Sequence, residues 1–136
     1  VRTQSGMLLT VDRYDNLLRS GRISRAKAWL AGMLDVKPIL SLDAEGAVVP
    51  VERVRGREHL ESRLLAILDQ RLTPRPRELR LGVAHADAPE VAQRIRKALV
   101  KQYQPRECLV TLATGVLGTH VGPGAWGIFY QVEDGG

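Results

Sequence analysis

The stretch that decides the fold of this chain is GVLGTHVGPGAWG, residues 115–127, which an apolar run over 128–130 follows directly. Five of its thirteen residues are glycine, and they bracket one histidine, His120. Glycine is used where the backbone approaches another group closely or takes a positive φ, and the N–H groups of such a turn can form an anion-binding concavity. The stretch predicts either a tight connection between two strands or a loop that presents His120 and backbone donors to a small acidic group.

Residues 122–127 of this stretch match G-x-G-x-x-G, the fingerprint of dinucleotide-binding loops. That fingerprint follows a strand and opens a helix. Here Pro123 removes a backbone donor, and residues 126–132 have the pattern of a strand. We therefore expect no nucleotide cofactor.

The composition is that of one globular domain, with 136 residues of which 44% are hydrophobic and 26% are charged. The single cysteine, Cys108, cannot form an internal disulfide or a cysteine-based zinc site, which favours a reducing cytoplasm. No apolar run reaches the roughly 20 residues that cross a bilayer, and the first residues lack the pattern of a signal peptide. Because the chain begins with Val1 and not with Met, we expect a fragment of a longer chain or a processed one.

The net charge of +5 is concentrated in one segment. Residues 53–80 contain eight arginines and four acidic residues, an excess of +4. This basic segment predicts either a solvated helix face with Glu–Arg pairs or a docking surface for an acidic partner. No aromatic residue lies within it, so stacking surfaces for single-stranded nucleic acid are poorly supplied.

The hydrophobic pattern predicts an α+β domain, a two-layer sandwich in which helices pack on a mostly antiparallel or mixed sheet of about six strands. Pro50 lies inside one strand and therefore predicts an edge strand or a bulge there. The predicted strands cover residues 7–11, 39–42, 47–54, 79–84, 108–112 and 128–132, and the first three predicted helices cover 12–18, 25–35 and 57–72.

A fourth helix is predicted to begin at the sequence DAPE, residues 87–90. Asp87 is the expected N-cap, Glu90 completes a pair like a capping box, and proline is tolerated in the first turn. Two apolar stripes are expected to face the sheet. The first comprises Leu60, Leu64, Ile67, Leu68 and Leu72, and the second comprises Val91, Ile95, Ala98 and Leu99.

Arg22 is a second candidate binding residue because it lies just before a predicted helix whose N-cap is Ser24. The N-terminus of a helix has unpaired N–H groups and a partial positive charge, so a guanidinium beside it favours a bound carboxylate or phosphate. The alternative is an arginine that donates to carbonyl groups of its own loop.

Four ordered stretches together resemble the DegV family of fatty-acid-binding proteins. They are TVDRYDNLLRSGRIS at 10–24, VKPIL at 36–40, HADAPE at 85–90 and GTHVGPGA at 118–125. The resemblance covers nearly the whole chain and fits the C-terminal domain of that family, so residues 1–136 are expected to be one domain without the family's N-terminal domain.

The resemblance implies a carrier of one long-chain fatty acid, whose carboxylate lies at the interface between the two domains. Arg22 and His120 would join the hydrogen-bond network around the carboxylate, and Thr119, Gly122 and Gly124 would contact the ligand from the loop. The hydroxyl groups that hold the carboxylate most directly would come from the N-terminal domain. The candidates for contact with the tail are Leu30, Met33, Leu34, Ile39 and Ile128.

A cytoplasmic, bacterial-type carrier of this kind presents its fatty acid to a separate ATP-dependent fatty acid kinase, which makes an acyl phosphate, and itself catalyses nothing. The resemblance thus implies no catalytic residue, cofactor or metal. An interface left open by an absent domain would favour self-association.

Two other classes of function stay open at this point. One is an enzyme that uses His120, or His85 with Asp87, as an acid–base pair, although the chain has no G-x-S-x-G, H-E-x-x-H or P-loop motif. The other is a basic nucleic-acid- or protein-docking domain without a lipid ligand.

Overall fold

The structure is a computed structural model of the chain, and it describes residues 2–11, 36–42, 47–112 and 124–134. These residues form six strands and two helices. In chain order the elements are β1 (Arg2–Thr10), β2 (Val36–Leu42), β3 (Val48–Arg55), α1 (Arg57–Arg71), β4 (Glu78–His85), α2 (Pro89–Tyr103), β5 (Glu107–Leu112) and β6 (Trp126–Asp134). Neither helix in these ranges is long and apolar enough to cross a membrane. The helices predicted over 12–18 and 25–35 lie outside the described residues.

The six strands form one mixed sheet in the order β3-β2-β1-β6-β4-β5. Neighbouring strands are antiparallel except β4 and β5, which run parallel and are connected through α2. A parallel pair needs such a crossover, whereas antiparallel neighbours can be joined by short turns. The prediction of an α+β domain with a mixed six-stranded sheet is confirmed. The final strand β6 lies inside the sheet, between β1 and β4, and therefore joins its two halves.

Strand β3 confirms both predictions that Pro50 carried. It forms one edge of the sheet, and an edge strand tolerates a residue without a backbone N–H because one of its sides has no partner strand. It also contains a bulge, since Ile39 faces Glu52 while the next residue, Leu40, faces Pro50, so that Val51 is the extra residue.

Strand β1 is longer than its apolar pattern predicted. We expected it to begin at Met7, but it begins at Arg2 and pairs with β6 along its whole length. The side chains of Gln4 and Ser5 are exposed, so the first half of the strand lacks the buried alternation on which the prediction depended.

Both helices pack on one face of the sheet, because each presents an apolar stripe to it. The stripe predicted for α1 is confirmed, since its five leucine and isoleucine residues are all buried. In α2, Ile95 and Leu99 are buried as predicted, but Ala92 and Tyr103 are buried in place of Val91 and Ala98, which are only partly covered. The buried stripe of α2 therefore differs from the predicted one at two of its four positions.

Two of the residues predicted as possible tail contacts belong to this packed core. Ile39 and Ile128 are both 0% exposed and lie in the cluster between the sheet and the helices. Leu30, Met33 and Leu34 lie outside the described residues.

Polar contacts connect the two helices to each other and to the sheet. The hydroxyl of Tyr103 donates to Oδ1 of Asp69 at 2.7 Å, and burial together with this bond raises the pKa of Tyr103. Arg94 donates to both carboxylate oxygens of Glu61, at 2.8 and 2.6 Å. Exposed pairs of this kind contribute only about 0–1 kcal/mol, so they orient the helices more than they stabilise the fold.

A further pair connects α1 to strand β3. Arg63 makes a two-point contact with Glu52, and its hydrogen bond lowers the pKa of that carboxyl group. The helix of the basic segment therefore carries Glu–Arg pairs, but these join α1 to β3 and α2 and are not pairs along one helix.

Gly127, the last residue of the glycine-rich stretch 115–127, allows β1 and β6 to approach closely. A Cβ atom at this position would lie 2.7 Å from the backbone oxygen of Leu8, a distance that real Cβ atoms essentially never show. Because a backbone oxygen cannot rotate away as the end of a side chain can, only glycine fits here without movement of the strand.

We expect Gly127→Ala to lower the free energy of unfolding by about 2 kcal/mol, because overpacking of this kind forces backbone shifts. Urea denaturation measures the change. The matched control is Gly6→Ala in the same strand pair, where a Cβ would meet only the end of the Tyr130 side chain. Equal effects of the two substitutions would contradict the account.

Candidate functional site

The ends of three strands meet at one end of the sheet and border a concavity of about 320 Å³. Thr10, the last residue of β1, pairs with Trp126, the first residue of β6, and Trp126 pairs in turn with His85, the last residue of β4. We call this cavity the strand-end concavity. Its volume is at the lower end of the roughly 300–1,000 Å³ of small-molecule sites. The described residues that line it are Thr10, Val11, Lys37, Leu60, Glu61, Ala88, Val91, Arg94, Gly124 and Trp126.

All four of the stretches that carried the family resemblance contribute to this one cavity. Thr10 and Val11 belong to the first stretch, Lys37 to the second, Ala88 to the third and Gly124 to the fourth. Because these stretches are far apart in the chain, their convergence is a property of the fold and not of the sequence order.

Two backbone hydrogen bonds fasten the end of the glycine-rich stretch to the loop before α2. The N–H of Gly124 donates to the carbonyl of Ala86 at 2.7 Å, and the N–H of Ala86 donates to the carbonyl of Ala125 at 2.9 Å. Gly124 has a φ of 87°, a left-handed value that favours glycine. The third and fourth stretches are therefore held together beside the cavity.

The prediction that Asp87 caps α2 is wrong. The N-cap is Ala88, and no side chain caps the helix in the sense predicted. Asp87 itself has a φ of 54°, in the left-handed region, and its side chain is exposed. The N–H of Ala88 instead donates to Nδ1 of the buried His85 ring, at 3.1 Å. The expected proline in the first turn is confirmed at Pro89.

This bond fixes one tautomer of His85. Because Nδ1 accepts a hydrogen bond from the backbone, the proton of the neutral ring is on Nε2. Within the described ranges no hydrogen bond joins His85 to Asp87, so the structure does not bring these two together as an acid–base pair.

The polar groups of the strand-end concavity are few, and one is unusual. Thr10 is 2% exposed, and its hydroxyl oxygen Oγ1 is the buried side-chain atom that lacks a hydrogen-bond partner in the described part of the chain. The lining also includes the charged side chains of Lys37, Glu61 and Arg94, with Glu61 and Arg94 paired to each other. The formal charge of the lining side chains is therefore +1. Thr10 was not predicted as a site residue, because a threonine near the end of a strand carries no sequence signal of its own.

Of the predicted site residues, Gly124 lies in the lining of the cavity. Arg22, Thr119, His120 and Gly122 lie outside the described residues, so their roles stay predictions.

Residues that could serve in catalysis or metal binding do not form a centre in the part of the chain that the structure describes. Among the residues described, no group of three or more His, Cys, Asp or Glu side chains is placed to hold a metal ion. Cys108 is buried, and burial raises the pKa of its thiol, which disfavours the reactive thiolate.

In the described ranges, two helices lie on one face of a mixed sheet, and a cavity with a few polar groups borders the strand ends, an arrangement typical of small-molecule sites in α+β domains. The sequence model of the DegV family of uncharacterised proteins matches residues 1–133. The chain therefore belongs to the DegV family.

Curated relatives agree with this assignment. A DegV domain-containing protein of Mycobacterium tuberculosis is 40% identical over 125 residues, which cover 91% of this chain and 44% of the relative. Protein DegV of Bacillus subtilis is 37% identical over 118 residues, which cover 87% of this chain and 41% of the relative. The chain thus spans less than half the length of these relatives.

Solved structures of the family have the same fold. The crystal structure of DegV, a fatty acid binding protein from Bacillus subtilis, matches with a TM-score of 0.79 and 34% identity, over 95% of this chain and 45% of that one. A DegV family protein from Thermus thermophilus, described for its fatty acid binding, matches with a TM-score of 0.85 and 25% identity, over 96% of this chain and 46% of that one.

We expect His85→Ala to lower the free energy of unfolding by about 2 kcal/mol, because it empties a buried site and leaves the N–H of Ala88 without its acceptor. Asp87→Gly is the control and should change stability by less than about 0.5 kcal/mol, because its side chain is exposed and glycine tolerates the left-handed φ. Chemical denaturation of both variants tests the assignment, and a larger loss for Asp87→Gly would restore the aspartate as the cap.

Proposed function

We propose that this domain forms part of a fatty-acid carrier and that the strand-end concavity receives the carboxylate end of the ligand. The observation that carries the proposal is the convergence of the four family stretches on one cavity. The similarity to proteins of Bacillus subtilis and Thermus thermophilus that are described as binding fatty acid supports the ligand class.

The electrostatics of the cavity suit an anion. A carboxylate that leaves water needs positive charge and hydrogen-bond donors. The N-terminus of α2 lies at the cavity, where Val91 is part of the lining, and the N-terminus of a helix has a partial positive charge. The +1 formal charge of the lining side chains acts in the same direction. Arg22 and His120 are the proposed further members of the carboxylate network.

The tail needs an apolar surface outside the packed core, because Ile39 and Ile128 leave no room between the sheet and the helices. The second face of the sheet, opposite α1 and α2, offers one. Leu9 and Leu40 face each other there but are themselves buried, so they offer the tail no open surface. Phe129 is 36% exposed and covers Gly82 on the same face. Each methylene buried against such a surface contributes about 0.8 kcal/mol, so a long chain binds tightly with few polar contacts.

We further propose that an N-terminal domain of the family type completes the site. The relatives are more than twice as long as the matched region, which leaves room for such a domain. In this arrangement the protein presents its fatty acid to an ATP-dependent fatty acid kinase and performs no chemistry itself. If the second domain were removed, the uncovered interface would favour self-association of this one.

The alternative, a basic docking domain without a lipid, is weakened by the way the fold divides the basic segment. Arg55 at the end of β3 lies near the cavity, since it pairs with Val36, next to Lys37 of the lining. Arg77 lies just before β4, at the opposite end of that strand from His85. An eight-residue strand is about 23 Å long from first to last residue, so the basic residues are spread along the length of the sheet.

We expect Arg22→Ala to weaken the binding of palmitic acid by the complete protein about 30-fold, because a charge-assisted hydrogen bond is worth about 2 kcal/mol. Native mass spectrometry measures the occupancy, both of added palmitic acid and of any co-purified lipid. Arg77→Ala is the matched control, since this arginine makes no hydrogen bond or ion pair within the described ranges and lies far from the cavity.

Unchanged occupancy in the Arg22 variant would remove that residue from the network. A complete wild-type protein that neither carries a lipid nor takes up palmitic acid would contradict the proposed function itself.

A further inference from the structure

The hydroxyl of Thr10 belongs to a residue that lines the strand-end concavity, and it has no partner in the described part of the protein. Thr10 is 2% exposed and lines the strand-end concavity. Its Oγ1 has no hydrogen-bond partner among the residues that the structure describes. Most buried polar groups in proteins are paired, so each exception needs a physical explanation.

The other buried polar side chains of the described sheet, Ser41 and His85, both have a hydrogen-bond partner. Ser41 is 8% exposed, and its hydroxyl donates to the carbonyl of Met7 at 2.9 Å. His85 is 6% exposed and accepts from the N–H of Ala88. Thr10 stands in the same cross-strand row as His85, separated from it by Trp126. Of the two polar side chains in this row, His85 makes a hydrogen bond within the protein, and Thr10 makes none in the described part of it.

Valine has the same shape as threonine without the hydroxyl, and it carries no polar atom that would need a partner. A threonine that leaves its hydroxyl unpaired therefore makes the empty domain less stable than valine would, because a buried unsatisfied polar group carries an unfavourable desolvation free energy. A bound molecule with an acceptor atom removes that disadvantage.

We infer that the hydroxyl of Thr10 donates a hydrogen bond to a carboxylate oxygen of the bound fatty acid, and that this domain thereby supplies a direct polar contact to the head group. The inference rests on the proposed function. It assigns to this domain a hydroxyl ligand of the kind that the family resemblance places in the N-terminal domain. Val91, in the first turn of α2, lines the same cavity, so the carboxylate receives the hydroxyl beside the partial positive charge of the helix N-terminus.

Two substitutions at this position separate a ligand contact from a structural role. Thr10→Val removes the hydroxyl and keeps the shape, while Thr10→Ser keeps the hydroxyl and removes a methyl group. In the complete protein, stripped of lipid, we expect Thr10→Val to raise the midpoint of thermal unfolding by about 3 °C and Thr10→Ser to lower it by a similar amount. For palmitic acid we expect Thr10→Val to raise the Kd about tenfold, and Thr10→Ser to keep it within about twofold of wild type.

The inference predicts that Thr10→Val raises stability and weakens binding. If the role of Thr10 were purely structural, the same substitution would lower both stability and affinity. Equal Kd values for wild type and Thr10→Val would overturn the role of Thr10 and leave the proposed function standing. A Thr10→Val variant that is less stable without lipid would also overturn it, because the hydroxyl would then have a partner in the protein. Wild-type protein that binds no palmitic acid would overturn the proposed function and this inference with it.

Discussion

The antiparallel pairing of β1 with β6 is the constraint on which the rest of the structure depends. It runs through nine consecutive residue pairs, from Arg2 opposite Asp134 to Thr10 opposite Trp126. Since β6 also pairs with β4, this one strand brings the two ends of the chain and its middle into a single sheet. The close approach at Gly127 is what permits the register to continue to its last pair. The last pair forms the rim of the strand-end concavity, so the geometry of the site follows directly from the pairing of these strands.

The periodic parts of the fold could be predicted from the sequence. The stripe of α1 depends on residues whose burial repeats with the period of the helix, and the edge position of β3 was indicated by Pro50, which lacks a backbone N–H. The strand predicted over residues 126–132 is also confirmed, since β6 begins at Trp126. Features that depend on contacts between distant segments could not be predicted in this way. The pairing of β4 with β5 in parallel and the polar first half of β1 are decided by neighbouring strands.

The prediction of an Asp87 cap on α2 was wrong for the same reason, because contacts with a distant segment decide the conformation there. The sequence DAPE satisfies the local rules for a capped helix, but the backbone of Asp87 takes a left-handed conformation. Two bonds between Ala86 and the chain at Gly124 and Ala125 hold this loop, and the ring of His85 then lies within reach of the N–H of Ala88. Of the candidate site, sequence patterns identified Gly124 and the stretches that converge, whereas Thr10 became visible only through its burial and its missing partner. The central claim is that these stretches form one carboxylate site.

A crystal structure of the complete protein with palmitic acid tests that claim most directly. The account predicts a carboxylate in the strand-end concavity, within hydrogen-bond distance of the hydroxyl of Thr10 and next to the first turn of α2, with the tail along the face of the sheet that bears Leu9 and Phe129. A carboxylate bound elsewhere, with the concavity filled by protein side chains, would contradict it.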